Sequence, residues 1–503
     1  MNMKNIILVF LSVILITACE DQLNIPPKSN LELGNFFASV EDFDLAVAGA
    51  YDPIAVHQAD RGFGTYFKGL MMMGRAGTDE MYVNQGFWDA TGKEIGNYTY
   101  SAFSRIPNTV WQMQYVGISR CNIVIGKLEE TDVVMSDATR SRLLGEVSFL
   151  RGFYYFQLAR YYGGVPIITE ETNLNEFRNI RSTLAETYER IIADFKTAEE
   201  HLPEVIEPGR ASKYAAKSFL AKAYLQMAGE PLNDPDAAAM AATYAKDVID
   251  NGPYDLEPVY SDIFTLDNEH GVEYIFSAEY IATDNEGGQV ATWDGPPGNW
   301  THTLTYSICR AMPELYNSYD ESDARRDYNI VDYVVIDAEG NTQPTEDGFF
   351  YAFKWRHDPN PETRGYATEW QSPFNFPITR FADVLLIYAE AQCRADGSPN
   401  ADAYEAINRV RNRAQLDDLS GLSGDEFLQA VLDERKWELA FEGHRWTDLV
   451  RYGKLIEAVQ AATEGNPIAA ANIRDHHIFF PIPASEIQVS NGDLEQNPGY
   501  IAD

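Results

Sequence analysis

The chain has 503 residues, with 39 Lys+Arg against 76 Asp+Glu and a formal net charge of −37. Apolar residues make up 45% and charged residues 23%, a globular composition and not a disordered one. So acidic a balance excludes nucleic acid as a partner, because phosphates require Lys and Arg, and it excludes docking on anionic lipid through a basic patch. A neutral or cationic ligand stays compatible with it.

The first predicted element is a leader. Met1–Asn5 carries Lys4, and Ile6–Ile16 is an almost wholly apolar run. That is the anatomy of a secretory signal, too short to span a bilayer. It ends Ile16-Thr17-Ala18-Cys19, which resembles a bacterial lipobox. The expectation is a signal peptide over 1–18, lipidation at Cys19 and membrane attachment by lipid. Residues 19–33, polar and with Pro26 and Pro27, read as a tether. Residues 34–503 then form a single fold. The remaining cysteines, Cys121, Cys309 and Cys393, are odd in number and widely spaced, which fits neither a disulfide framework nor a metal motif. Cys121 and Cys393 lie in apolar helical contexts and read as small packed hydrophobes.

Helices dominate the rest of the chain. Ser39-Val40-Glu41-Asp42 is a capping-box-like start. Trp111–Leu128 is a second helical run. Leu143, Val147, Leu150, Tyr154, Leu158 and Tyr161 share one face of a third, which stops at Gly163-Gly164-Val165-Pro166. Thr183 with Glu186 caps another. Ala215–Ile249 reads as two antiparallel helices with an alanine-rich seam, broken at Gly229–Pro235, in the manner of a tetratricopeptide unit. Val384–Ala395 with Ala403–Ala414 is a second pair, and Phe427–Phe441 a further helix.

Two excursions interrupt this scaffold, over about 51–110 and 253–377. Residues 260–376 hold 21 aromatics in 117 positions, with many Gly, Pro, Asn and Asp. Val331–Ile336 and Phe349–Trp355 read as short strands. Function tends to sit on such loops while a scaffold positions them.

The usual catalytic motifs are missing: no GxSxG, HExxH, P-loop or dinucleotide fingerprint. His476-His477 on an extended segment would point to opposite faces, so a shared metal is not expected. Asp79-Glu80, among aromatics, is the carboxylate pair a glycoside hydrolase would need. No EF-hand spacing is present, although a structural divalent cation is compatible with acidic loops. Between Glu434 and Arg451, Glu434, Glu438 and Glu442 fall at i, i+4 and i+8 of a predicted helix. Arg435 stands three before Glu438, and Arg445 three before Asp448. Alternation with Trp437, Phe441 and Trp446 makes this an ion-pair network between helices.

The same segment, with its Glu434-Arg435 pair and Glu442-Gly443-His444-Arg445-Trp446-Thr447-Asp448-Leu449-Val450-Arg451, resembles the signature of the SusD-like (SusD/RagB) outer-membrane lipoproteins. Arg151–Pro166, Ile378–Ala391, and Phe480–Pro483 through Tyr500 resemble three further segments of that family, in order. The resemblance implies a mainly α fold with tetratricopeptide-like helix pairs under an irregular, loop-rich lobe with a few short strands. It implies a nutrient-binding lipoprotein of the outer membrane, not an enzyme and without a cofactor. Its partners would be a glycan ligand and a SusC-type TonB-dependent porin. No family residue transfers to the ligand site, so candidates come from residue type and place. The first excursion offers Arg75, Asp79, Tyr82, Asn84, Gln85 and Trp88; the second offers Trp293, Trp300 and Trp370. Flat aromatics stack on the apolar face of a sugar while polar neighbours bond its hydroxyls. A peptide-binding member, a ligand-free scaffold for the porin and a surface glycoside hydrolase stay open as alternatives.

Overall fold

The computed structural model describes residues 36–55, 65–86, 88–173, 178–281, 287–296, 298–299, 304–336, 341–345, 348–355 and 372–501. The leader, Cys19 and the tether lie outside these, as do Trp300 and Trp370.

In chain order the elements that matter are α1 (Val40–Ala55), α2 (Leu70–Arg75), β1 (Met81–Val83), α3 (Arg105–Glu130), α4 (Asp137–Tyr162), α5 (Leu184–His201), α6 (Lys213–Met227), α7 (Ala237–Asn251), β2 (Tyr274–Ala278), β3 (Cys309–Ala311), β4 (Phe376–Arg380), α8 (Phe381–Asp396), α9 (Ala401–Arg413), α10 (Gly424–Glu438) and α11 (Arg445–Arg451). From α3 to α8 each helix packs on the next, and α8 then packs on both α9 and α10. The long excursion between α7 and α8 therefore leaves the helix stack unbroken, because α7 lies directly against α8.

Local sequence explains the helix ends. Ser136 caps α4 by accepting from the Thr139 N–H. Gly163 ends it at φ +81°, which glycine adopts without strain. The Thr183/Glu186 and Ser423/Glu426 capping boxes both form. The α4 stripe from Leu143 to Tyr161 is fully buried, but so are Phe149, Phe153, Arg151 and Gln157 around it. From Gly145 to Ala159 α4 is thus a central helix buried on all sides, and a one-face pattern understates it. The seam of α6 and α7 is built as expected: Ala216, Ala223 and Ala245 are buried, and the Tyr224 and Tyr244 rings stack at 5.9 Å.

Gly117 permits one close approach. A Cβ there would stand 2.2 Å from the Tyr154 ring, whose hydroxyl donates to the Ala50 carbonyl. One apolar cluster extends from Phe43 to Leu494, with a small satellite at Val331, Tyr351 and Phe353. The strand expected over 331–336 splits in two, and the one over 349–355 is shorter. Ile330–Val331 pairs with Tyr351–Ala352, while Tyr333–Val335 pairs with Thr342–Pro344. Cys121, Cys309 and Cys393 are free and buried. Among the described residues no helix is long and apolar enough to cross a membrane.

Candidate ligand-binding face

The face is organised by β1 and β3, paired antiparallel so that Tyr82 lies opposite Arg310. Met81 and Val83 point inward and are fully buried, which directs Tyr82 to the other side of the ladder. Arg310 lies with its guanidinium carbon 3.9 Å from the Phe349 ring centre and 5.6 Å from that of Tyr351. Burial pushes the Tyr82 phenol above its ordinary pKa, against the pull of Arg310. Beside them Tyr316 and Phe350 stack at 4.4 Å, and Arg326 sits over Tyr316 at 5.3 Å. The Ala311 N–H donates to the Phe350 carbonyl at 3.1 Å, which brings this second aromatic pair to the edge of β3.

The loop after β1 is tied down at both flanks. Asn84 donates to the Ser307 carbonyl at 3.3 Å and accepts from the Gly86 N–H. Gln85 and Asn97 exchange amide hydrogen bonds at 3.2 and 3.1 Å. Trp88 then stands 75% exposed. Its neighbour Asp89 turns inward to Lys68 at 2.8 Å, and the Lys68 ammonium lies 4.1 Å from the centre of the Trp293 ring.

Two of the sequence candidates, Trp293 and Arg75, lie inside the protein, and a third, Asp79, is half-buried in an ion pair. Trp293 is buried, its indole N–H bonded to Gln289 at 2.8 Å and its face covered by Lys68. Its short helix Val290–Asp294 packs against the face instead of projecting from it. Arg75 is buried in a bidentate pair with Asp294 and also donates to the Met71 and Phe441 carbonyls. Asp79 accepts two bonds from Arg445 at 2.7 and 2.6 Å. These residues hold the lobe together and present no free group to a ligand. Tyr82 is 8% exposed, as buried as Trp293, while Asn84, Gln85 and Trp88 remain on the candidate face. Arg310, Phe349, Phe350 and Tyr316 join them. Their signal was a β-pairing that connects segments more than two hundred residues apart, which a local pattern cannot show.

Glu80 is buried beside Asp79. Its carboxylate accepts the Phe441 N–H at 2.7 Å, and burial pushes its pKa up to about 8. With Asp79 held by Arg445, this pair has neither the exposure nor the freedom of a hydrolase dyad.

Behind the face, the Glu434–Arg451 segment meets the rest of the chain through charge. Arg380 donates to Glu273 (2.6 Å), Glu438 (2.5 Å) and both oxygens of Glu442 (2.9 and 2.7 Å). Arg413 joins Glu273 and Glu438; Arg325 joins Glu434 and Glu438; Lys354 joins Glu442. A second cluster links Arg435 to Asp448 and Asp383, Arg451 to Glu390 and Asp448, and Lys222 to Asp383. All these carboxylates are buried.

The ion-pair network is therefore present, but its partners differ from the helical spacing. α10 ends at Glu438, so Glu442 lies beyond it in a turn where Phe441 has φ +66°. Arg435 reaches Asp448 and Asp383 instead of Glu438, and Arg445 reaches Asp79 instead of Asp448. Burial pushes the Asp448 carboxyl up, but Arg435 and Arg451 outweigh it and hold it below the usual range. His444, buried among these groups, is driven down to about 3 and stays neutral. Among the described residues no group of three or more His, Cys, Asp or Glu is arranged to hold a metal ion.

A stack of antiparallel helices carrying an aromatic, loop-rich lobe, with buried charges joining the two, defines a class of helical-repeat proteins. Within that class the chain belongs to the SusD-like family. Residues 318–500 match the SusD family, and residues 57–225 match the family described as starch-binding associating with outer membrane. SusD-like protein P25 of Formosa agariphila is 28% identical over 99% of this chain and 100% of its own length. A SusD homolog from Bacteroides thetaiotaomicron superposes with a TM-score of 0.83 at 24% identity, over 94% of this chain and 99% of that one. Surface glycan-binding protein A of the same organism, in complex with laminarihexaose, superposes with a TM-score of 0.76 at 25% identity, over 91% of this chain and 99% of its own.

Proposed function

We propose that the protein is a lipid-anchored outer-membrane binding protein. It takes an oligosaccharide or polysaccharide on this face by aromatic stacking and hands it to a SusC-type TonB-dependent porin. The observation that carries the reading is Trp88. An indole 75% exposed, on a loop fixed by Asn84–Ser307 and Gln85–Asn97, is pre-positioned to lose water against a flat apolar surface. The C–H face of a sugar ring is such a surface. Asn84 and Gln85 precede Trp88 on the same loop, and Arg310 lies opposite Tyr82 across the β1–β3 pair, residue types that bond hydroxyls. The family and the laminarihexaose-bound relative support a carbohydrate as the ligand class. The internal commitment of Asp79 and Glu80 supports binding without hydrolysis. Attachment through Cys19 and transfer to the porin rest on the lipobox and on the family.

Calorimetric titration with a panel of neutral polysaccharides, laminarin included, tests the reading. Wild-type protein should bind at least one of them, and Trp88→Ala should weaken that binding about tenfold, or ~1.4 kcal/mol. Silence toward every glycan, or wild-type affinity in Trp88→Ala, removes the proposed site.

A further inference from the structure

A cavity of about 540 Å³ opens along α3, lined by Trp111, Gln112, Tyr115, Ser119 and Arg120. They stand at i, i+1, i+4, i+8 and i+9 and share one side of the helix over more than two turns. Gln112 and Ser119 are exposed, so this part of α3 is not covered by its neighbours. Glu486, from the short helix Ala484–Val489, lines the same cavity. That helix is seated at the start of α3 by its Ala484 N–H, which donates to the Ala102 carbonyl at 3.0 Å. The volume lies within the ~300–1,000 Å³ of small-molecule sites. None of these residues belongs to the Trp88 face.

Most of the lining is already engaged. Trp111 is buried, edge-on to Tyr162 at 5.2 Å, with its ring centre 5.1 Å from that of Tyr115. Tyr115 is half-buried and fixed through its hydroxyl, which donates to the Pro166 carbonyl at 2.8 Å. The two rings therefore make a rigid aromatic wall. Arg120 is committed to α1, donating to the Gly49 carbonyl at 2.6 Å and pairing with Asp52 at 2.7 Å. Its charge is answered within the chain. The Glu486 carboxylate differs. It is half-buried, and among the described residues no donor or cation meets it. Burial alone pushes its pKa up, and its charge in turn raises the phenol of Tyr115.

We infer that this pocket is a second ligand site, separate from the Trp88 face, and that it takes an amino sugar with its amine protonated. A half-buried carboxylate that the chain leaves unpaired is completed by a cation from the ligand, through a charge-assisted hydrogen bond. A simple alkylamine would answer the charge and leave most of the volume unfilled. A pyranose ring fills it against Tyr115, with hydroxyls for the Gln112 amide and the Ser119 hydroxyl. The choice of a sugar as the body of the cation rests on the proposed function; the requirement for a cation does not.

The probe is the unacetylated disaccharide of β-linked glucosamine, titrated calorimetrically into Trp88→Ala at a pH that keeps the sugar amines protonated. Cellobiose, with a hydroxyl in place of each amine, is the control. The expected result is saturable binding of the amino sugar and about tenfold weaker binding of cellobiose. Adding Glu486→Gln, which keeps the side chain's shape, should weaken the amino sugar by about the same factor. A chain of net charge −37 attracts any cation, but that attraction would not fall tenfold on the loss of one charge. The inference is overturned by no binding at millimolar disaccharide, by equal affinity for cellobiose, or by equal affinity in the Glu486→Gln protein. It is also overturned if Nα-acetyl-lysine amide binds as tightly, because the pocket then reads a bare ammonium. The two readings fail separately: silence of the wild type toward neutral glycans removes the Trp88 face, and the amino-sugar titration is made with Trp88 already absent.

Discussion

Arg445 donates two parallel hydrogen bonds to Asp79, at 2.7 and 2.6 Å, joining residues 366 apart in the chain. Its third nitrogen bonds the Leu432 carbonyl of α10 at 3.1 Å. One side chain at the start of α11 thus clamps the loop that opens the lobe onto the helix stack. The backbones touch beside it: a Cβ on Gly74 would lie 2.3 Å from the Gly443 carbonyl oxygen, so glycine is required there. A bidentate Arg–carboxylate pair of low exposure is costly to break from one side, because the partner stays desolvated. Asp79→Asn should therefore lower unfolding stability by about 3 kcal/mol, the lower end expected for a buried pair. Glycan affinity of the folded fraction should stay within about twofold. Urea unfolding with calorimetry checks both. A loss under ~1 kcal/mol would make this an ordinary surface bridge.

Arg380 sits at the centre of the first charge cluster, buried among Glu273, Glu438 and Glu442. Arg380→Met keeps much of the volume and leaves three buried carboxylates short of a cation. The expected loss is about 3–5 kcal/mol or more, and the variant should accumulate poorly. The same cluster sets the acid limit of the wild type. Burial pushes the Glu438 and Glu442 carboxyls up, but Arg380 with Arg413 on Glu438, and with Lys354 on Glu442, holds both below the ordinary value of 4.5. A depressed folded pKa stabilises above the unfolded value and is lost as pH falls through the folded one. Thermal midpoints should therefore drop steeply below about pH 4.5. A midpoint that holds steady down to about pH 3 would contradict the assignment.

Much of the fold was legible because it is written at short range. Helical periodicity, the Thr183 capping box and the Gly163 stop each act within a few residues, and each appears where the pattern places it. The candidate face was legible only in part. Trp88 could be read as a candidate because it lies in a loop-rich, aromatic stretch. Trp293 carried the same local signal, yet Lys68, some two hundred residues earlier, covers its ring. Arg75 and Asp79 looked like ligand groups because their partners, Asp294 and Arg445, lie 219 and 366 residues away. The charge cluster was foreseen as a cluster, but its pairings follow tertiary packing and not the i, i+4 rule.

Glu80 carries a pH signature of opposite sign to the clusters. Burial raises its folded pKa to about 8 from an ordinary 4.5. Between those values the folded chain holds a proton that the unfolded chain releases, so this residue's contribution falls as pH rises through that window. Glu80→Gln keeps an acceptor for the Phe441 N–H and removes the titration. The stability difference between Glu80→Gln and wild type should grow in favour of the variant from about pH 5 to about pH 8, by at most about 1.4 kcal/mol per pH unit. Denaturant midpoints of both proteins at matched pH values give the difference curve. A flat curve would show that Glu80 titrates normally.

Trp88 and Trp293 separate binding from stability. Trp88 is 75% exposed and Trp293 is 8% exposed. Removing an exposed indole leaves no cavity, so Trp88→Ala should unfold within ~0.5 kcal/mol of wild type. Its effect should fall on glycan affinity. Trp293 fills space beneath Lys68 and Gln289. Trp293→Ala removes that packing and uncovers the Lys68 ammonium, at a cost of about 3–5 kcal/mol. Trp293→Phe retains most of the ring contact and should recover part of that loss, with glycan binding at full strength once folded. Unfolding curves beside titrations for the three variants test the division. Binding loss in Trp293→Phe without loss of stability would move that residue back to the ligand face, and a destabilised Trp88→Ala would mean that its ring packs on the protein in solution.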